Sequence, residues 1–154
     1  MDIEVIRDEL LTIAEARLAC YNKLISLAEE QRELLMAGRH AELAGNLSRH
    51  DPVLAELCRL EGREELLEAS LGPTGESRQP EDFECRRRTL AAETSDAALN
   101  LRSLTETNKE LLTNAANFVG FSIGIISQLV GDQPAYSPEG ERAAVTTLVL
   151  DRRA

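Results

Sequence analysis

LAAETSDAALNLRSLTETNKELLTNAANFVGFSIGIISQLVG, residues 90–131, is the stretch whose reading decides the fold. Leu90, Thr94, Ala97, Leu101, Leu104, Asn108, Leu111, Ala115, Phe118, Ser122, Ile125 and Leu129 follow one another in unbroken steps of four and three. Seven residues make about two turns of helix, so these positions form one lengthwise stripe, the pattern of a helix seated in a coiled coil. Asn108 and Ser122 interrupt the stripe with polar groups, and polar seam residues fix register at a cost in stability. Pro80, Glu81 and Asp82 suit the first turn of such a helix. A run over 81–130 is about 75 Å long. It either projects past its neighbours or breaks at the cap-type residues Thr94, Ser95 and Asp96.

Upstream, Ile3, Ile6, Leu10, Ile13, Arg17, Cys20, Leu24, Leu27, Gln31 and Leu34 repeat the same spacing, with two polar interruptions. They predict a first helix of about 2–36, roughly 52 Å long, with Asp2 at its start and Gly38 in the left-handed conformation past its end. Leu18, Tyr21, Ile25 and Leu35 widen its stripe, which suits a helix with two neighbours. A second helix, about 39–71, follows so closely that the two must form an antiparallel hairpin. Leu43, Leu47, Leu54, Leu57 and Leu60 supply its apolar face. Asp51-Pro52 predicts a kink or a break within that rod, with Asp51 capping and Pro52 in a new first turn as one form of it. Gly72-Pro73 predicts its end, and residues 72–80, GPTGESRQP, read as a loop.

The fold class that follows is all-α: an antiparallel hairpin of long helices with a third long helix alongside. The three form a coiled-coil-like bundle over residues 1–131, in up-down-up order, and residues 132–154 form a mobile C-terminal tail. Leu10, Ile13, Leu24, Leu27, Leu47, Leu54, Leu57, Leu101, Leu104 and Leu111 are the expected core. Composition agrees. Aromatic residues make up 3% of the chain, too few for a wide globular core, while 43% apolar residues suffice to line seams.

The same composition excludes several functions. A net charge of −10 with no basic face speaks against nucleic acid, and Arg86-Arg87-Arg88 reads as a solvated helix surface. The three cysteines lack a CxxC spacing and read as reduced, mostly buried thiols, Cys20 and Cys58 on apolar stripes. The acidic N-terminus lacks the pattern of a signal peptide. The most apolar run, 118–130, is about 20 Å long as a helix, short of the roughly 30 Å hydrocarbon core, so no membrane insertion is expected. His40 and His50 lie nearly three turns apart and do not make a metal pair. No phosphate loop, GxSxG or Glu-x-x-His motif occurs, so no catalytic residue, metal or cofactor is expected.

What remains points to binding. Phe118, Val119, Ile126 and Leu129 give the end of the third helix more apolar surface than a two-sided seam needs. Val145, Leu148 and Leu150 add apolar anchors on the tail, and Tyr136 stands between Pro134 and Pro138, which keep its stretch extended. Gly120-Phe121-Ser122-Ile123-Gly124 is a GxxxG. It reads either as close helix packing or tolerated glycines, or as a weakly held helix end, since each glycine costs roughly 1 kcal/mol against alanine.

The order of these features resembles a known family. The turn Leu35-Met36-Ala37-Gly38-Arg39 leads into a leucine-rich second helix. The third helix contains Asn108-Lys109-Glu110-Leu111-Leu112 and Asn117-Phe118-Val119 and ends in Leu129-Val130-Gly131. The tail contains Tyr136-Ser137-Pro138-Glu139-Gly140. Over nearly its whole length the chain resembles the FlgN family of flagellar export chaperones. It departs from that pattern at Pro52 and in the apolar run 143–150. The resemblance implies a cytoplasmic, nucleotide-free chaperone. Such a protein holds hook-associated (hook–filament junction) proteins and hands them to the flagellar type III export gate or its ATPase complex. It places the client on the end of the third helix and the tail, hence on Phe118, Val119, Ile126, Leu129, Val145, Leu148 and Leu150, and gate docking on Tyr136. The alternatives from other classes are a structural coiled-coil adaptor or scaffold without an export role, and a helical-bundle enzyme or metal carrier.

Overall fold

The computed structural model describes residues 3–75 and 80–131. Among the described residues there is no strand, and the order is α1 (Ile3–Met36), a 3-10 turn (His40–Glu42), α2 (Leu43–Ser48), α3 (His50–Gly75) and α4 (Glu81–Gly131). The chain divides into two compact units, Met1–Leu112 and Thr113–Ala154, and the division falls inside α4.

In the first unit α1 ends where Gly38 takes a φ of 68°. The Arg39 N–H then donates back to the Leu34 carbonyl at 2.9 Å and the Gly38 N–H to that of Leu35 at 3.2 Å. This pair of bonds satisfies carbonyls that the helix end would otherwise leave open. A residue with a Cβ would be strained at Gly38. The chain reverses within a few residues, and α3 runs back along α1. Ile6, Leu10 and Ile13 meet Leu60 and Leu67, while Leu24 and Leu27 meet Val53 and Leu57, so low numbers on α1 face high numbers on α3. Phe83 of α4 joins the first cluster and Leu101 packs against the second, which makes α4 parallel to α1. Up-down-up is the resulting order.

Ion pairs follow the same alignment. Arg63 donates to Glu9 at 2.6 Å, and Arg49 pairs with Glu30. Arg17, a polar interruption of the α1 stripe, sits half-buried between Glu61 at 3.6 Å and Glu64. The basic run is a largely solvated surface, as expected, and it also reaches acids on two other helices. Arg86 reaches Glu15 of α1 at 2.9 Å, Arg87 reaches Glu68 of α3, and Arg88 stays on α4 with Glu84. Exposed pairs of this kind add about 0–1 kcal/mol each. The buried leucines dominate, at about 2–5 kcal/mol for each one truncated to alanine.

Two buried amides fix the register. Asn46 of α2 donates from Nδ2 to the Leu27 carbonyl at 3.0 Å, and Asn108 of α4 donates to the Ala28 carbonyl at 2.8 Å and to Gln31 Oε1 at 2.9 Å. Asn46 is 1% exposed and Asn108 4%. Adjacent carbonyls of α1 thus anchor both neighbours, and Ala28 is small enough to let them approach. Asn108 has the register-fixing role that its seam position predicts.

The second helix differs from expectation. It is interrupted at Arg49, whose N–H bonds to the Asn46 carbonyl at 3.1 Å, and α3 starts anew with Pro52 in its first turn, where a missing N–H costs nothing. Leu47 and Leu54, expected in the core, are exposed. The true seam is Asn46, His50, Val53, Leu57, Leu60, Glu64 and Leu67, in steps of four and three. Leu47 and Leu54 each stand one residue past it, about 100° around the helix. Cys58 is exposed for the same reason, as is Cys85, and Cys20 is partly buried; all three are free thiols. Leu101 and Leu111 are partly rather than fully buried. The helix also passes Gly72-Pro73, where its end was expected, and ends at Gly75.

α4 has no break at Thr94-Ser95-Asp96. Packing holds it there: Leu90 and Ala97 are buried on either side. Its first turn carries Glu81, Asp82 and Glu84, and the Glu84 N–H donates to the Pro80 carbonyl at 3.2 Å. In the second unit the described part is the helix to Gly131. Residues 132–154, expected as the tail, lie outside the described residues, as do residues 76–79 of the expected loop.

Candidate functional site

Charged side chains make up 29% of the chain, yet residues 111–131 contain none. Within that stretch Phe118, Val119, Phe121, Ile123, Ile125, Ile126, Leu129 and Val130 are all exposed, Phe118 at 70%, Phe121 at 68% and Leu129 at 66%. Fully burying one such side chain is worth about 1.5–3 kcal/mol. Eight of them in water therefore represent a gain on the order of 10 kcal/mol that a partner would realise. Scattered exposed leucines are ordinary, but a contiguous apolar surface marks an interaction site.

This end is helical to Gly131 although its large apolar side chains are exposed. Leu111, Ala115 and Ser122 continue the seam as its least exposed members. The Ser122 hydroxyl donates back to the Phe118 carbonyl at 2.9 Å, a bond internal to the helix. Gly120 and Gly124 meet nothing: a Cβ added at either would have no heavy atom within 4 Å. The GxxxG is not a close-packing contact among the described residues, and the reading as a weakly held helix end remains.

Four residues expected to bind a client, Phe118, Val119, Ile126 and Leu129, are brought together on this surface. Val145, Leu148 and Leu150, and the docking candidate Tyr136, lie outside the described residues. Phe121, Ile123 and Val130 belong to the same surface and were not singled out from the sequence. The signal that would have found them is the absence of charge over 111–131, which a search for seam positions passes over.

Elsewhere the polar groups serve structure. Arg17 and Glu64, which line a shallow groove with Tyr21, Leu90 and Thr94, neutralise each other. The hydrogen bond from Arg49 holds the Glu30 carboxyl below its usual range, and that from Arg59 does the same for Glu56. Burial pushes the Cys20 thiol up, with Glu56 adding and Lys23 opposing, so it is a poorer nucleophile than a free cysteine. Among the described residues no group of three His, Cys, Asp or Glu could hold a metal, and no helix is long and apolar enough to cross a membrane.

An all-helical bundle with an exposed, uncharged helix end is an architecture for holding another chain, and sequence comparison agrees. The sequence model of the FlgN protein family matches residues 1–144. The chain belongs to the FlgN family. Comparison with curated proteins and with solved structures found no match. Membership in FlgN gives the chain a chaperone role in flagellum biogenesis. The FlgN match takes in all four helices and with them the whole of the apolar end of α4.

Proposed function

We propose that this chain binds hook-associated proteins, those of the hook–filament junction, in the cytoplasm and delivers them to the flagellar export gate or its ATPase complex. The observation that carries the reading is the run of eight exposed large apolar side chains between Phe118 and Val130. Phe118, Val119, Ile126 and Leu129 are the client contacts on the helix. Val145, Leu148 and Leu150, within residues 132–154, add apolar client anchors. Tyr136 docks at the gate. A large aromatic flanked by prolines suits a hot spot in an extended segment.

Release needs no nucleotide in this scheme. A tail that orders on binding gives back part of the contact energy as lost chain entropy, which keeps the client exchangeable. The bundle of the first unit serves as the rigid base.

Deleting residues 132–154 tests the assignment. Titration calorimetry with a purified junction protein is expected to show binding by the full chain and sharply weaker binding by the truncated one, with the helical unfolding transition retained. Tyr136→Ala is expected to keep client affinity and to lose gate capture in a pull-down. Client binding by the truncated chain as tight as by the full one removes the tail from the client site. If light scattering also shows self-association through the end of α4, the chain is a scaffold instead.

A further inference from the structure

The end of α4 and a short run near the C-terminus share one property. Residues 111–131 contain no charge, and neither do residues 143–150, AAVTTLVL. Glu139, Glu141 and Arg142 stand before that run, and Asp151, Arg152 and Arg153 follow it at once. Val145, Leu148, Val149 and Leu150 are thereby gathered into one apolar block with charged ends. A block this short cannot make a core of its own, so it gains only by lying on an apolar surface that already exists. Such a surface is present at the end of α4, where Phe118, Phe121 and Leu129 are exposed.

The connection between the two has a fitting length. The helix from Val130 back to Phe118 is about 18 Å long. Residues 132–142, DQPAYSPEGER, reach up to about 36 Å when extended and average roughly 18–20 Å as a flexible coil. Pro134 and Pro138 interrupt any continuation of the helix, so the chain is able to turn back. A linker whose average span matches the distance to be bridged gives the highest effective concentration, on the order of millimolar. A second copy of the chain in dilute solution meets the surface far less often. The FlgN match ends at residue 144. The α4 surface lies within it, while Val145, Leu148 and Leu150 lie beyond it. A contact shared across the family would sit inside the match; one that serves this chain's own surface need not.

We infer that residues 143–150 fold back on the end of α4 of the same chain and cover it while no client is bound. The inference uses the exposed surface and not the identity of the client, so it goes beyond the function proposed above. Client binding displaces the block, and Val145, Leu148 and Leu150 then become available to the client. Four large apolar side chains cover only part of a surface that carries eight, so the hold is weak and reversible. At a protection of about tenfold, the surface stands open for about a tenth of the time and a client enters without any other agent. The cover also keeps an uncharged apolar face from meeting a second copy.

The test uses the full chain without client, at a concentration where light scattering shows a monomer. A photo-crosslinking amino acid replaces Thr147, in the middle of the block. In parallel, amide exchange over 113–131 is compared between the parent and a variant combining Val145→Ser, Leu148→Ser and Leu150→Ser. The expected result is cross-links within one molecule from position 147 to residues 115–131, and exchange over 113–131 about tenfold faster in the variant, with α1 and α3 unchanged. No cross-link, cross-links only to the bundle or to another copy, or equal exchange in the two proteins overturns the inference and leaves the client site in place. Adding a hook–filament junction protein then separates the two proposals. Cross-links that disappear as it binds support displacement of the block. Cross-links that persist in the complex keep the cover and overturn the client site on α4. Absence of any client binding removes the proposed function and leaves the cover standing.

Discussion

The bundle Met1–Leu112 and the helix end after it use one heptad rhythm for opposite purposes. In the first, Leu90, Ala97, Leu104 and Asn108 are buried against α1 and α3, and the flanks carry Arg86 and Arg87, each paired with an acid on another helix. In the second, Phe118, Ile125 and Leu129 keep the rhythm while exposed, and charge vanishes from 111–131. Charged flanks solubilise a helix whose partner is already present and fix its register. Their absence leaves a face whose only favourable fate is burial. One spacing thus serves a buried seam with charged flanks in the first region and an exposed, uncharged surface in the second.

The largest difference expected between the regions is in stability. Leu104→Ala should lower unfolding free energy by about 2–5 kcal/mol in a denaturant titration, the range for a buried leucine. Leu129→Ala should stay within about 0.5 kcal/mol of the parent, as an exposed position does. A neutral Leu104→Ala would mean that the α4 register on α1 is wrong. Next is Asn108→Ala, which removes the bonds to the Ala28 carbonyl and to Gln31 and should cost about 1–2 kcal/mol by the same titration.

Much of this was legible in the sequence, and the exceptions have physical causes. The Gly38 turn, the three long helical segments and the seam role of Asn108 follow from glycine chemistry and heptad spacing. The α3 seam was misread by one residue because Leu47 and Leu54 are more apolar than Asn46 and Val53. Stepping back from Leu60 and Leu57 by three and four lands on Val53 and then His50 and Asn46. A buried amide held by a backbone carbonyl does not look apolar, so a search for leucines misses it. Arg17 and the arginine run stayed hidden for a related reason: the acids they meet are far away in sequence. At the candidate site Phe118, Val119, Ile126 and Leu129 were legible as surplus apolar surface, whereas Phe121, Ile123 and Val130 show only through the absence of charge over 111–131.

Smaller effects separate the regions further. Gly120→Ala and Gly124→Ala have open space around the new methyl groups and should each stabilise the helix end by about 1 kcal/mol. Amide exchange is expected to slow over 113–131 and to remain unchanged in α1 and α3. Slower exchange throughout the bundle would contradict the separation. The smallest effect is electrostatic. Glu30 and Glu56 have lowered folded pKa values, so their contribution is present above the ordinary carboxylate value of about 4.3 and is lost as pH falls through the folded values. Both are exposed and screened, so an acid titration of the midpoint should show a slight loss below that range, smaller still in high salt.

The most direct measurement is a calorimetric titration of a hook–filament junction protein into the parent and into a variant combining Phe118→Ser, Val119→Ser, Ile126→Ser and Leu129→Ser, with thermal unfolding of both recorded alongside. The account predicts that the variant loses client binding while its bundle unfolds as the parent's does. Undiminished binding by a folded variant would contradict it.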